Sequence, residues 1–308
     1  QQPYPGKYTN EILKDIGKNR LFSLIIDREY NGNKISVTQL SNVLTKLSAH
    51  NPALGVMVMV PNSLGPGELL TKYGTDEQKD FYLPKLSSGD MVPCFGLTGP
   101  NNGSDALGEI DTGMVFKGKN GELKIQVEIN KRYITLAPVA NLIGLAINVI
   151  DPDKLLPEGV SPGITVALLE KGHPGLLQET YHNPLNVGFP NGTLKGHFSI
   201  SENQIIGGRD NIGNGWQMLM ECLAAGRGVS LPATANGASK VASVASLIYA
   251  KHRKQFRIPL YKMQGVNAKL VDNVFHTNLI SSSINFTNAI LDSGCTPVSY
   301  THLRAHET

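Results

Sequence analysis

The residues best suited to binding chemistry are concentrated in one short segment, residues 94–105, which reads CFGLTGPNNGSD. Its three glycines would let the backbone approach a ligand closely, and the hydroxyls of Thr98 and Ser104 could donate or accept hydrogen bonds. The same mixture of Gly, Pro and Asn is typical of an ordinary turn that binds nothing. The segment alone leaves both interpretations open, so the rest of the chain must decide between them.

The composition of the chain argues against several other kinds of site. Among 308 residues, 28 Lys and Arg face 25 Asp and Glu, and a charge of +3 is too small to favour a nucleic-acid surface. Cys94, Cys222 and Cys295 are far apart and form no zinc or disulfide pattern, which favours a reducing compartment. The most apolar stretches, 53–60 and 139–150, are shorter than the about 20 residues that cross a bilayer.

The elements that must position the glycine-rich segment change along the chain and together predict an α+β fold. Apolar residues recur at helical spacing from residue 10 to about 86, which predicts an N-terminal α-helical domain over residues 1–91. Thr75 is the expected N-cap of the last helix in this domain, and Pro84 lies near the expected end. This helix leads into the glycine-rich segment.

Alternating and β-branched residues follow and predict a middle antiparallel β domain, a barrel or sandwich, over residues 92–207. The stretch GKNGEL, residues 118–123, is interpreted as a hairpin turn. A strand-to-helix crossover pattern is lacking, which argues against a parallel nucleotide-binding sheet.

Helical spacing returns after residue 214 and predicts a C-terminal helical bundle, present only in part, over residues 208–294. Small residues at 233–246 suit a close contact between helices, and Pro232 is expected to bend or interrupt the first long helix. The tail 295–308 is similar to translated sequencing adapter and is excluded as non-native. The opening residues likewise suggest a piece of a longer protein.

Five segments, in this order, resemble the acyl-CoA dehydrogenase family and span about residues 10–292. They are YGTDEQKDFYLPKLSSGD (73–90), CFGLTGPNNGSDA (94–106), NKRYIT (130–135), GWQMLMECLAAGRG (215–228) and RKQF (253–256). Five ordered agreements are far more specific than one glycine-rich loop. The phrases VPNSLGPGELL, NKRYITLAP and GKNGELKIQ are most similar to the long bacterial fatty-acyl-CoA dehydrogenases of β-oxidation.

The resemblance implies FAD as the cofactor and assigns residues to its site. The matched cofactor-binding residues are Phe95, Leu97, Thr98, Gly103, Ser104, Tyr133, Thr135, Arg253 and Phe256, and the matched substrate-binding residues are Ser104 and Arg227. In the family the arginine matched by Arg253 reaches the cofactor pyrophosphate across a subunit interface, which would make the site depend on oligomerisation. The resemblance implies no metal.

Each assignment has a simpler alternative in the residues themselves. The glycine-rich segment could be a strand-end turn, and the strand that contains Tyr133 and Thr135 could be an ordinary one. Arg253 could belong to a basic helix end, and Arg227 could form an interhelical ion pair. The sequence also departs from the family at Gly99, where glutamate is usual, at Asn102, where alanine is usual, and at Arg257, where glycine is usual.

The implied reaction is the α,β-dehydrogenation of a fatty acyl-CoA to a trans-2-enoyl-CoA, in which a carboxylate removes the α-proton. In most of the family this base lies beyond the position where this sequence stops, and in a minority it occupies the position of Gly226. Glu221 lies about a turn and a half earlier on the same helix. We therefore assign no catalytic base and expect an inactive fragment.

The resemblance further implies an electron-transferring flavoprotein as electron acceptor, a homo-oligomer and no nucleic-acid partner. It implies a cytoplasmic location, or association with the inner membrane in a longer bacterial parent. An acyl-CoA oxidase that reduces oxygen would share the architecture. A flavin-binding relative that binds DNA is a second alternative, which the small net charge disfavours. A non-catalytic structural fragment is the third.

Overall fold

The computed structural model describes residues 6–63, 65–106 and 108–294. The described residues form two compact units, one containing residues up to 34 together with 57–224, the other containing 35–56 together with 225 onward. The α+β fold class is confirmed. The domain boundaries placed after residues 91 and 207 stay predictions, and the excluded tail 295–308 lies outside the described residues.

The first half of the chain is helical, as expected. Its helices are α1 (Gly6–Lys18), α2 (Val37–His50), α3 (Pro52–Met59), α4 (Pro66–Tyr73) and α5 (Asp76–Ser88). The N-cap at Thr75 is confirmed, because its hydroxyl accepts from Gln78 N at 3.2 Å and Gln78 Oε1 accepts from Thr75 N at 3.1 Å. Helix α5 continues through Pro84 and ends at Gly89, which has a φ of +82°.

The helical spacing read beyond Lys18 was wrong, because the chain leaves the helix there. Phe22, Leu24 and Ile26 alternate into the core of the first unit, and each is nearly inaccessible to solvent. The amide of Leu24 donates to Asn62 Oδ1 at 3.0 Å, so a side chain replaces the helical hydrogen bond. Ser23 is buried as well, so tertiary packing decides the local structure here, which is neither helix nor strand.

The middle of the described chain forms one seven-stranded sheet, in which β5 pairs with β4 and the other strands follow the order β1-β4-β2-β3-β7-β6. The strands are β1 (Pro93–Gly96), β2 (Thr112–Lys117), β3 (Leu123–Thr135), β4 (Leu142–Ile150), β5 (Ile164–Glu170), β6 (Leu176–His182) and β7 (Asn191–Ser201). Most neighbours are antiparallel, as predicted, whereas β1 and β2 each pair with β4 in parallel. The hairpin turn is confirmed by the bond from Gly118 N to Glu122 O at 2.8 Å.

Helices cover part of this sheet within the first unit. Helices α4 and α5 and the helix α6 (Gly215–Ala225) contribute buried apolar side chains to one cluster with β4 and β5. Representative members are Leu70, Leu83, Leu142, Val166 and Leu219, each less than 5% exposed. Burial of such side chains is the main favourable contribution to folding.

The second unit is built from α2, α7 (Leu231–His252) and α8 (Gln264–Asp292), with a small hairpin of β8 (Lys254–Gln255) and β9 (Ile258–Pro259). The expected interruption near Pro232 is present as a π turn, Gly226–Ser230, and Pro232 lies in the first turn of α7, where proline is tolerated. A side chain at Gly237 would meet Thr45 O at 2.5 Å, which confirms the close helix contact expected from small residues. In the described part of the chain, no helix combines the length and apolar character that a bilayer crossing requires.

Asp292, the last residue of α8, caps the start of α2. Its Oδ1 accepts from Val37 N at 2.7 Å and its Oδ2 accepts from Thr38 N at 3.0 Å, two amides that lack partners inside their own helix. Burial would raise the pKa of Asp292, but hydrogen bonds from Thr38 and Val37 outweigh it, and the pKa lies below its usual value.

Replacing this cap should make stability less sensitive to acid. Because the folded pKa of Asp292 is lowered, its contribution is present above about pH 4, the unfolded value, and is lost as pH falls through the folded pKa. We expect Asp292→Ala to cost about 1 kcal/mol near neutral pH and progressively less below about pH 4. Thermal denaturation across this pH range measures both effects.

The matched control is Asp272→Ala, which removes an exposed carboxylate from the same helix, paired only with Lys269 at 3.6 Å. It should change the unfolding temperature little at any pH. Equal losses in the two variants, or a loss in Asp292→Ala that persists in strong acid, would contradict the capping role.

Candidate functional site

The glycine-rich segment connects β1 to β2 and runs beside β3. Arg132 N donates to Thr98 O at 3.0 Å, and Thr98 Oγ1 donates to Arg132 O at 3.1 Å. The start of the loop is thereby fixed against the strand that carries Tyr133 and Thr135. The structure thus brings Thr98 next to the end of the strand that carries Tyr133 and Thr135, although the two segments are about 35 residues apart in the sequence.

A buried lysine holds both ends of this loop. Lys131 Nζ donates to Leu97 O at 3.1 Å and lies 2.8 Å from Asp111 Oδ2. Leu97 and Asp111 flank the loop on its two sides, so a single ammonium group closes it. The side chain of Lys131 is 0% exposed, and burial lowers its pKa, an effect that Asp111 partly offsets. Lys131 was not among the predicted site residues, although the period-two alternation of buried residues from Leu123 to Ile129 places it on the inner face of β3.

A β-bulge turns Tyr133 outward immediately after this lysine. The pairing of β3 with β7 shifts register between Lys131 and Ile134, which are both buried. Tyr133 has a φ of +58° and its side chain is 51% exposed. Bulges re-aim side chains and are over-represented near active sites. The backbone thus presents an aromatic ring to solvent beside the loop.

Arg132 and His182 surround the tyrosine ring. The Arg132 guanidinium carbon lies 5.0 Å from the ring centroid of Tyr133, and the His182 ring centroid lies 5.2 Å from it. His182 Nε2 is 2.6 Å from Thr193 Oγ1. Burial, and secondarily the charge of Arg132, lower the pKa of His182, which favours a neutral imidazole. His182 was not predicted as a site residue, because its strand, β6, reaches this region through pairing with β7.

Of three further predicted residues, Phe95 and Leu97 have packing roles at the start of the loop, whereas Thr135 lies at the end of β3. The half-buried ring of Phe95 lies over Gly144, where an added Cβ would be 2.5 Å from Phe95 Cδ2. Leu97 is 9% exposed and belongs to the buried cluster. Thr135 is half-buried and pairs with Asn191 at the end of β3. Of these three, Thr135 is the one whose side chain is polar and partly accessible.

Gly103 and Ser104 form the open part of the loop. Both are exposed, and a Cβ added at Gly103 would meet no atom within 4 Å. Among the described residues, no acceptor is hydrogen-bonded to the amides of Gly103 and Ser104. Successive free amides in a glycine-containing turn form a concave site for an anion such as a phosphate. The loop therefore offers bare donors where the sequence analysis expects a pyrophosphate.

Three of the residues predicted to bind cofactor or substrate belong to the second unit. Arg227 is exposed in the π turn, and Arg253 is the C-cap of α7. Phe256 is 90% exposed and forms, with Arg257, the two-residue turn between β8 and β9. Both turn residues have positive φ, +49° and +66°, which explains why glycine would suit position 257. Their cofactor and substrate roles stay predictions.

Glu221, which lies on the same helix before position 226, is engaged in helix packing. Its carboxylate accepts hydrogen bonds from Tyr73 Oη and from Gln217 Nε2, the latter at 3.1 Å. Burial, together with Glu221, raises the pKa of Tyr73, so the phenol stays protonated as a donor. These bonds tie α4 to α6 within the first unit and leave Glu221 without an assigned catalytic role.

Comparison with known proteins adds independent information. Residues 4–90 match the family model described as acyl-CoA dehydrogenase, N-terminal domain. An acyl-CoA dehydrogenase of Bacillus subtilis is 30% identical over 265 residues, covering 85% of this chain and 65% of that protein. A 3-(aryl)acrylate reductase of Clostridium sporogenes is 27% identical over 293 residues, covering 94% of this chain and 73% of that protein. This chain therefore spans about two thirds of the first relative.

A solved structure extends the comparison to the fold. The acyl-CoA dehydrogenase of Bacillus anthracis, complexed with FAD, superposes with a TM-score of 0.81 at 22% sequence identity. The match covers 93% of this chain and 46% of that one. At this identity the likeness establishes the fold.

Removing the loop clamp should strongly destabilise the first unit. Lys131→Met leaves the Asp111 carboxylate without its cation and removes one of the two donors to Leu97 O, and we expect a loss of about 3 kcal/mol. Urea denaturation measures the free energy of unfolding.

The control is Lys124→Met on the same strand, where the ion pair with Glu122 is partly exposed. This variant should lose less than about 1 kcal/mol. If both variants lose similar amounts, the buried pair does not hold the loop.

Proposed function

Since this chain belongs to the acyl-CoA dehydrogenase family, we propose that it forms the FAD-binding part of an enzyme that oxidises a fatty acyl-CoA to a trans-2-enoyl-CoA. The observation that carries the proposal is the juxtaposition of the glycine-rich loop with the bulged end of β3. Thr98 is hydrogen-bonded to Arg132, and the next residue, Tyr133, is turned out of the sheet. A bulge that exposes an aromatic ring beside a loop with free amides supports a ligand site at this position.

The residues present fit FAD. A dinucleotide needs donors for a pyrophosphate and an apolar surface with a few polar groups for its ring. The free amides of Gly103 and Ser104 and the open space beside Gly103 suit the first requirement. The half-exposed Tyr133 and the Thr135 hydroxyl suit the second. The family resemblance assigns the same residues to these two parts of the cofactor.

Bound FAD would supply the acceptor for the hydride that leaves the β-carbon. The chain's own contribution is to hold and orient this group. Thr98 and Thr135 offer hydroxyls from the two sides of the junction between loop and strand, and Ser104 offers a hydroxyl and an amide to an anion. The resemblance further assigns Arg253 to the cofactor pyrophosphate, across a subunit interface, and Arg227 to the thioester end of the substrate.

Abstraction of the α-proton requires a carboxylate that the described residues do not provide at an assigned position. Glu221 is held by Tyr73 and Gln217, and position 226 is glycine. We propose that the base is absent from the part of the chain that the structure describes. The proposal also includes fatty acyl chains as substrates in β-oxidation, an electron-transferring flavoprotein as acceptor and a homo-oligomeric assembly.

Titration of the purified chain with FAD tests the cofactor assignment. We expect flavin fluorescence to be quenched on binding, and Thr135→Val, which removes one hydroxyl at nearly constant volume, to raise the Kd about fivefold, the equivalent of one net hydrogen bond. Thr112→Val is the control, because this exposed threonine begins β2 outside the predicted site. Wild-type protein that binds no FAD would refute the proposed function, and equal Kd values for both variants would remove Thr135 from the site.

The FAD-loaded chain should not be reduced by palmitoyl-CoA, because no described carboxylate is assigned to take the α-proton. The visible absorption of the flavin is the measurement, and chemical reduction by dithionite is the control that the bound flavin can be bleached. Bleaching by palmitoyl-CoA would show that a base is present after all and would contradict this part of the proposal.

A further inference from the structure

Two departures from the family's usual sequence meet in one contact inside the glycine-rich loop. Asn102 stands where alanine is usual and Gly99 where glutamate is usual. Asn102 Oδ1 accepts from Gly99 N at 2.6 Å, and Asn102 O accepts from the same amide at 3.1 Å. The two unusual residues are therefore direct partners.

The amide nitrogen of the Asn102 side chain bonds a second backbone group of the loop, the Leu97 carbonyl. Its Nδ2 donates to Leu97 O at 3.2 Å, the same carbonyl that accepts from Lys131 Nζ at 3.1 Å. Asn102 is only 3% exposed. One buried side chain thus adds two hydrogen bonds to the backbone bond that already crosses the turn, and it shares the Leu97 carbonyl with Lys131.

Gly99 is constrained by this arrangement. A Cβ added there would lie 2.9 Å from Asn102 Oδ1 and 3.1 Å from Asn130 O. A side chain at position 99 is therefore incompatible with Asn102 in its observed place and crowds β3 as well. With Asn at position 102, glycine at position 99 provides the necessary space.

We infer that Asn102 is a positioning residue that preorganises the cofactor loop, with Gly99 as its matched partner. The inference rests on the proposed function. A loop that contains Gly99 and Gly103 has many unbound conformations, and a ligand that binds one of them has an apparent affinity reduced in proportion to the population of that conformation. By bonding Gly99 and Leu97, Asn102 fixes the turn just before Gly103 and Ser104, whose amides are free to meet an anion.

A double-mutant cycle with FAD as the probe tests the inference. The four proteins are wild type, Asn102→Ala, Gly99→Ala and the double variant. We expect Asn102→Ala and Gly99→Ala each to raise the Kd for FAD about tenfold. Asn102→Ala frees the loop, and Gly99→Ala displaces the side-chain amide of Asn102. In the double variant the clash with Asn102 is gone, so the Kd should rise by clearly less than the product of the single effects.

The matched control is Asn101→Ala, which removes an exposed asparagine from the same loop, where its Nδ2 donates to Glu109 Oε2 at 2.6 Å. We expect its Kd to stay within about twofold of wild type, as for an exposed surface contact. Two further readouts separate positioning from folding: the unfolding temperature without FAD, and the shape of the visible absorption band of bound flavin. Asn102→Ala removes buried hydrogen bonds and should lower the unfolding temperature more than Asn101→Ala, so each Kd is measured where all variants are folded, and a changed flavin band is the readout that reports positioning.

The outcomes are distinguishable. If wild type binds FAD and Asn102→Ala binds it equally well, the inference is wrong and the proposed function stands. Multiplicative effects in the double variant would show that Gly99 and Asn102 act independently and would also overturn it. If wild type binds no FAD, both the inference and the proposed function fail.

Discussion

The candidate site depends on one buried ion pair. Removing the Lys131 ammonium from water costs several kcal/mol, and such a charge is tolerated only where its partners satisfy it. Its partners are the Asp111 carboxylate and the Leu97 carbonyl, which are the two ends of the glycine-rich loop. The requirement to satisfy a buried cation therefore also fixes where the loop begins and where it ends.

The same lysine determines how the strand presents its next residues. In a regular strand, side chains alternate between the two faces. Lys131 and Ile134 both point inward, so the chain must accommodate two outward residues between them, and the bulge results. Arg132 then pairs with Thr98 through its backbone, and Tyr133 turns its ring outward. Loop closure and ring exposure thus have one physical origin.

Local chemistry was predictable from the sequence where neighbours in the chain decide the structure. The cap at Thr75 and the hairpin at Gly118 need only residues a few positions apart, and both were found. Pairing over long distances was not predictable. The inward direction of Lys131 follows from alternation along β3, but its pairing with Asp111 depends on the fold, and the place of His182 depends on β7 lying between β3 and β6. The turns and bends after Lys18 were misassigned as helix because their apolar residues also fit helical spacing.

The site residues themselves were identified by resemblance, and the structure supplies physical reasons for several of them. Thr98 is held by β3, Tyr133 is exposed by a bulge, and Gly103 is surrounded by open space. Phe95 packs over Gly144 and Leu97 belongs to the buried cluster, so both have packing roles. Composition alone could not separate the accessible site residues from the packing residues, because burial is a property of the folded sheet.

Hydrogen–deuterium exchange of the chain with and without FAD tests the central claim most directly. If the clamped loop and the bulged end of β3 form one cofactor surface, saturating FAD should slow amide exchange in residues 98–106 and 132–136 together. Protection confined to other parts of the chain, with exchange in both segments unchanged, would show that the flavin binds elsewhere and that the clamp serves folding alone.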